Sequence, residues 1–170
     1  MTRKLRKQRK TLLIVGEGQT EHAFLKYLVS LFCRDKQGPK VTVENAHGKG
    51  PENILNTAIR IKRRASYDKT VAVLDTDIPW TQSLKKEARS NNVELVGNDP
   101  CIEGLFLRLL GETVPNTTAE CKTKLSNIKN LNWLDKRAYE TWCNKELLEH
   151  HCNEPQKIEE LRRLLSFYKG

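Results

Sequence analysis

Asp75-Thr76-Asp77 places two carboxylates directly after the apolar run Val71-Ala72-Val73-Leu74. Such a run reads as a buried parallel strand, and the carboxyl ends of parallel strands are where open α/β sheets carry their ligands. Hard divalent cations need oxygen ligands, and Mg²⁺ is typically bound by one or two carboxylates together with phosphate oxygens. Two further acidic residues can join this pair. Glu17 lies between Gly16 and Gly18, and Glu103 follows Asn98-Asp99-Pro100-Cys101-Ile102. Carboxylates converging around Mg²⁺ serve phosphoryl transfer. A plainer reading competes at each position. Aspartate and a glycine-flanked glutamate are ordinary turn residues. A carboxylate in the first turn of a helix is stabilised by the helix dipole, which covers Glu103 and, with more force, Glu21. Glu21 is therefore read as a helix-start residue and not as a catalytic one.

The elements that must position these groups follow from periodicity. Thr11-Leu12-Leu13-Ile14-Val15 reads as a first strand, ended by the turn Gly16-Glu17-Gly18. A helix is expected from about Thr20, with Phe24, Leu25, Leu28 and Leu31 at helical spacing. Lys40 to Glu44 is the second strand, and Pro51 suits the first turn of a second helix carrying Ile54, Leu55, Ala58 and Ile59. Strand three runs from Lys69 to Leu74. Helix three is expected over Trp80 to Ser90, and strand four at Val93 to Val96. Asp99 reads as the cap and Pro100 as the first residue of helix four. The alternation implies an α/β fold, with a parallel sheet and right-handed crossovers. Connections after parallel strands share one sheet edge, so Glu17, Asp75, Asp77 and Glu103 can converge there. The organisation expected is a basic arm over residues 1–10, an α/β domain over 11–111 and a helical C-terminal extension over 112–170 packed on it. That extension shows no legible chemistry.

The chain has 170 residues and a formal net charge of +9, which points to an anionic partner, nucleic acid first. The positive charge concentrates in the arm Met1 to Lys10 and in Arg60-Ile61-Lys62-Arg63-Arg64. Cations also suit a helix carboxyl end, which is the plainer account of Arg60, Lys62, Arg63 and Arg64. His47-Gly48-Lys49-Gly50-Pro51 precedes a helix amino end, where free N–H groups and Lys49 favour phosphate. It is not a Walker A loop, because the Gly-Lys-Ser/Thr ending is absent. Cys33, Cys101, Cys121, Cys143 and Cys152 have no regular spacing and form no disulfide framework. Cys143, His150, His151 and Cys152 lack the Cys-x-x-Cys pairing of structural zinc sites. No apolar run approaches a bilayer span, and the amino terminus has no signal-peptide pattern. The expectation is a cytoplasmic protein with no membrane contact.

Leu12-Leu13-Ile14-Val15-Gly16-Glu17-Gly18-Gln19-Thr20-Glu21 followed by Val73-Leu74-Asp75-Thr76-Asp77 resembles the Toprim domain of topoisomerases, primases and overcoming-lysogenization-defect nucleases. Gly16-Glu17-Gly18-x-Thr20-Glu21 together with Asn98-Asp99-Pro100-Cys101-Ile102-Glu103 resembles, more narrowly, the RloB-like proteins encoded near bacterial restriction or defence genes. The resemblance covers roughly residues 11 to 110. The chain departs from the family's Asn-Pro-Cys-Phe-Glu by an inserted Asp99 and by Ile102 in place of the aromatic. The resemblance implies a Rossmann-like Toprim domain with a four-stranded parallel sheet flanked by helices, and a Mg²⁺ (or Mn²⁺) site. It implies Glu17 for acid/base work or metal binding, Asp75 and Asp77 as metal ligands, and Glu103 as the additional carboxylate of nuclease relatives.

The resulting expectation is a metal-dependent nuclease acting on DNA or RNA in bacterial or archaeal antiphage defence. Lys49, Arg60, Lys62, Arg63 and Arg64 would contact the nucleic-acid backbone, and a protein partner of a defence system is allowed. A non-catalytic or partner-dependent nucleic-acid-binding subunit is the rival reading. A haloacid-dehalogenase-like phosphatase fits less well. There the Asp-x-Asp pair follows the first strand and is succeeded by threonine, whereas here it follows the third, with Ile78 next.

Overall fold

The computed structural model describes residues 8–34, 38–153, 155 and 157–169. Most of the basic arm, residues 1–7, therefore lies outside the described residues. Strands β1 (Thr11–Gly16), β2 (Lys40–Asn45), β3 (Lys69–Asp75) and β4 (Glu94–Asn98) form one sheet in the order β2-β1-β3-β4. Every pairing is parallel, with Thr11 beside Lys40, Leu12 beside Lys69, and Asp75 beside Asn98. Helices α1 (Gln19–Phe32), α2 (Gly50–Arg64), α3 (Gln82–Ser90) and α4 (Ile102–Leu109) alternate with the strands. Four more, α5 (Thr118–Ile128), α6 (Lys136–Glu140), α7 (Lys145–His150) and α8 (Glu159–Lys169), follow among the described residues. The expected α/β architecture is what forms.

Side chains alternate across a strand, and the two apolar clusters divide by that period. Leu12, Ile14, Val71, Val73 and Val96 pack with α1, α4 and the C-terminal helices. Leu13, Val15, Ala72 and Leu74 pack with Ile54, Leu55 and Ala58 of α2 and Leu84 and Ala88 of α3. Central strands β1 and β3 are thus covered on both faces, which is why they read as unbroken apolar runs. Tyr139, Cys143, Leu148, Leu161, Leu164, Leu165 and Tyr168 belong to the same core as Leu12 and Phe24. The C-terminal helices therefore close one face of the sheet. No helix among the described residues is long and apolar enough to cross a membrane.

The boundaries that differ most from the sequence expectation are those of α3, β4 and α4. Helix α3 begins at Gln82, because Thr81 is its cap, accepting from the Leu84 N–H at 3.1 Å. Trp80 stays outside the helix with its indole N–H donating to the Asp75 carbonyl at 3.1 Å. Strand β4 extends to Asn98 through its pairing with Asp75. Helix α4 begins at Ile102 with Cys101 at its cap position, so Asp99 and Pro100 precede the helix. The reason is that both are engaged elsewhere. Asp99 Oδ1 accepts from the Thr76 hydroxyl at 2.9 Å, and the Pro100 carbonyl accepts from the N–H groups of Thr76 and Asp77. The Asp99–Pro100 peptide is cis.

Candidate functional site

The carboxyl edge of the sheet gathers the acidic residues. Glu17 occupies the turn between β1 and α1, and Asp75 is the last residue of β3. Asp77 follows in the exposed loop, where its Oδ2 accepts from the Thr118 hydroxyl at the start of α5 at 2.7 Å. Glu103 is buried in the first turn of α4. Glu21 is buried in the first turn of α1, and its Oε2 accepts from the Gly18 N–H at 3.1 Å. A Cβ on Gly16 would lie 2.9 Å from Glu21 Cβ, so only glycine lets the end of β1 come this close to the helix.

These groups act on one another electrostatically. Burial pushes the Asp75 carboxyl up to about 9, and the charges of Glu21, Glu17, Glu103 and Asp77 push in the same direction. Burial pushes Glu21 up to about 7, assisted by Glu103 and Glu17 and opposed by its backbone hydrogen bonds. Asp75 Oδ1 is buried without a hydrogen-bond partner among the described residues, and so is Nδ2 of Asn98, its register neighbour on β4. An acceptor oxygen desolvated among negative charges is costly to bury unless a cation satisfies it. The all-oxygen donor set is of the kind Mg²⁺ or Mn²⁺ takes. In their present positions, no three His, Cys, Asp or Glu side chains among the described residues are arranged to hold a metal ion. The acidic groups sense one another's charge without being drawn into a ligand set.

The other sequence-derived candidates divide by edge. Lys49 lies at the carboxyl edge, exposed, as the left-handed cap residue of α2 (φ 71°), and the Gly48 N–H donates to the Glu17 carbonyl at 2.8 Å. Helix α2 then runs back along the sheet, about 22 Å for its length. Arg60, Lys62, Arg63 and Arg64 consequently lie toward the opposite edge, away from the carboxylates. Lys62 Nζ donates there to the carbonyls of Asn91 and Asn92 at 2.6 and 3.1 Å. All five cysteines are free thiols.

Three residues beside the acidic candidates were not singled out by sequence reasoning. Glu21 was set aside as a helix-start residue. It does cap the helix, yet it is also buried among the other carboxylates. Its position four residues after Glu17, just inside the helix that the Glu17 turn leads into, is the available signal. Asn98 carries no signal of its own, because its place beside Asp75 arises from strand register. Tyr139 comes from the C-terminal third, and its hydroxyl donates to the Trp133 carbonyl at 2.7 Å. Burial raises its pKa, and the Glu21 and Glu103 charges add to that, which marks it as a near neighbour of the acidic set.

Residues 12–166 match the family of RloB-like proteins. The chain belongs to the RloB-like family. The match runs well past residue 110 and includes the C-terminal helices, so the part of this RloB-like protein that packs beneath the site is family sequence too. No curated protein and no solved structure matches the chain.

Proposed function

We propose that this RloB-like protein is a metal-dependent nuclease with a Toprim-like site, hydrolysing phosphodiesters of DNA or RNA in bacterial or archaeal defence. The observation that carries the proposal is the buried, unpartnered Asp75 Oδ1 at the end of β3, with Glu17, Glu21, Asp77 and Glu103 as its dominant charged neighbours. A folded protein that keeps a carboxylate in that position is set up for a cation. Asp75, Asp77 and Glu17 would hold Mg²⁺ or Mn²⁺, with Glu103 and Glu21 able to complete the ligand set. A metal held there would supply charge stabilisation for the phosphate.

The chain's own groups have separable tasks. The Thr118 hydroxyl orients the Asp77 carboxylate through its 2.7 Å hydrogen bond. Glu21 is fixed by the Gly18 N–H on Oε2, which leaves Oε1 for water or a ligand. Lys49, on the loop against the Glu17 turn, would neutralise a phosphate arriving at that edge. The deciding experiment is cleavage of labelled DNA and RNA with Mg²⁺ or Mn²⁺ by wild type and by Asp75→Asn/Asp77→Asn. We expect the double variant to lose cleavage by a factor of ~10³ or more while remaining folded, the scale expected when electrostatic stabilisation of a transition state is removed. Undiminished cleavage by the folded double variant overturns the proposal. Tight nucleic-acid binding by wild type without turnover, with either metal and with defence partners added, favours the non-catalytic subunit instead.

A further inference from the structure

Strand β4 is an edge strand, and its outer side faces a trough. Helix α3 supplies one wall with Lys85 and Arg89, and α8 supplies the other with Arg163. Val93, Glu94 and Leu95 form the floor, and Trp80 closes the upper end of a cavity of about 330 Å³. A second cavity of about 390 Å³ continues toward the amino edge, sharing Arg89, Val93 and Glu94 and adding Lys62 and Lys69. The two together are lined by five cations against the two carboxylates Asp68 and Glu94. Glu94 is already engaged by Lys69 at 2.5 Å and Arg163 at 3.6 Å. No ion pair among the described residues engages Lys85 or Arg89.

The upper end of the trough is tied to the acidic site. Trp80 donates its indole N–H to the Asp75 carbonyl, and its ring lies against β4, where a Cβ on Gly97 would come within 3.0 Å of it. We propose that this trough is the track for a single nucleic-acid strand, which runs along the outer edge of β4 and reaches the carboxylates past Trp80. The inference rests on the nuclease reading of that site. A cationic groove ending in an aromatic is the usual equipment for binding single strands without sequence preference. The five residues of β4 span ~16 Å, about the length of five stacked nucleotides at ~3.4 Å each. An acidic peptide adding a strand to the β4 edge is the competing occupant. The five cations against two carboxylates favour a strand with one negative charge per nucleotide over a peptide with acidic side chains at intervals. The track also gives Lys62 a contact with substrate at a distance from the metal-binding edge.

The test is fluorescence anisotropy of a labelled single-stranded oligonucleotide in EDTA, where no metal-dependent cleavage occurs. The variant Lys85→Glu/Arg89→Glu/Arg163→Glu is compared with Lys26→Glu/Lys40→Glu/Lys136→Glu, which carries the same net charge but alters the β2 side of the sheet. Circular dichroism checks folding, and glutamine replaces glutamate at the trough positions if the reversals unfold the chain. The trough variant is expected to bind at least tenfold more weakly. Its plot of log affinity against log salt should flatten by about 2, at ~0.7 per lost phosphate contact. The control is expected to change less than threefold. Equal losses in both variants overturn the track, as does an acidic peptide that binds in the trough where nucleic acid does not. The two readings fail separately. A trough variant that cleaves and binds like wild type removes the track and leaves the nuclease. Strand binding lost in the trough variant, with no cleavage by wild type under any metal, keeps the track and removes the nuclease.

Discussion

Asp75 sets the pH behaviour of the metal-free protein. Its carboxyl rises from an ordinary 3.8 in the unfolded chain to about 9 in the folded one, so the folded state binds the additional proton between those values. Stability from this group is complete below the unfolded value and is lost as pH rises through the folded one. Glu21 has the same sign over a narrower window, from 4.5 to about 7. In EDTA the melting temperature should therefore fall between about pH 5 and pH 9, and Asp75→Asn should flatten that fall. An unchanged slope in the variant would count against the burial of this charge. Divalent metal should reverse the trend, because its binding displaces protons: the thermal shift with Mn²⁺ should be larger at pH 8 than at pH 5. Glu21→Gln keeps an acceptor for the Gly18 N–H while removing the charge. Its expected effect is lost cleavage with little change in stability, read by rate and melting temperature together, whereas a residue that only caps α1 would leave the rate unchanged.

The elements at the carboxyl edge approach one another more closely than side chains usually permit. Gly16→Ala places a methyl 2.9 Å from Glu21 Cβ and should cost ~1–3 kcal/mol in urea unfolding while displacing Glu21 from the acidic set. Beneath the site, the Phe106 ring of α4 sits 5.0 Å from Phe24, 5.4 Å from Trp133, 5.5 Å from Tyr139 and 5.9 Å from Trp142, centroid to centroid. Such aromatic pairs each contribute ~0.5–1.5 kcal/mol beyond area burial. Phe106→Ala should therefore destabilise by ~3–5 kcal/mol, and urea unfolding followed by Trp fluorescence measures it. This cluster ties α1, α4 and the 133–142 segment together, which explains why Tyr139 lies near Glu21 and Glu103. The strands and first four helices were legible because apolar period and turn chemistry are local. The start of α4 was not. Asp99 and Pro100 form a plausible cap by residue type, but their polar groups are taken by Thr76 and Asp77 from a loop more than twenty residues earlier in the chain.

At the scale of the whole molecule, the acidic candidates and the α2 cations occupy opposite edges of the sheet. Carboxylates collect where the strands end, and the cations of α2 collect where the strands begin. The arrangement follows from chain direction alone, since each crossover helix starts at one edge and finishes at the other. The last helix contributes Leu161, Leu164, Leu165 and the fully buried Tyr168 to the main core. Its hydroxyl donates to the Leu25 carbonyl at 3.2 Å. Removing residues 157–170 should therefore abolish cooperative thermal unfolding, because it strips the cover from one face of the sheet. A sharp transition near the full-length melting temperature would show that the α/β unit stands alone.

The sequence by itself determined the order of strands and helices, the parallel sheet and the assignment of Glu17, Asp75 and Glu103 to one edge. Those properties depend on period, turn residues and the rule that parallel crossovers return to the same side. Only the tertiary structure decided that Glu21 is buried among them, that Asn98 sits beside Asp75, that Tyr139 reaches the site from the far end of the chain, and that Arg60 to Arg64 lie away from it. Each of these depends on register, burial or the length of a helix across the sheet. Such quantities exist only once distant segments have packed.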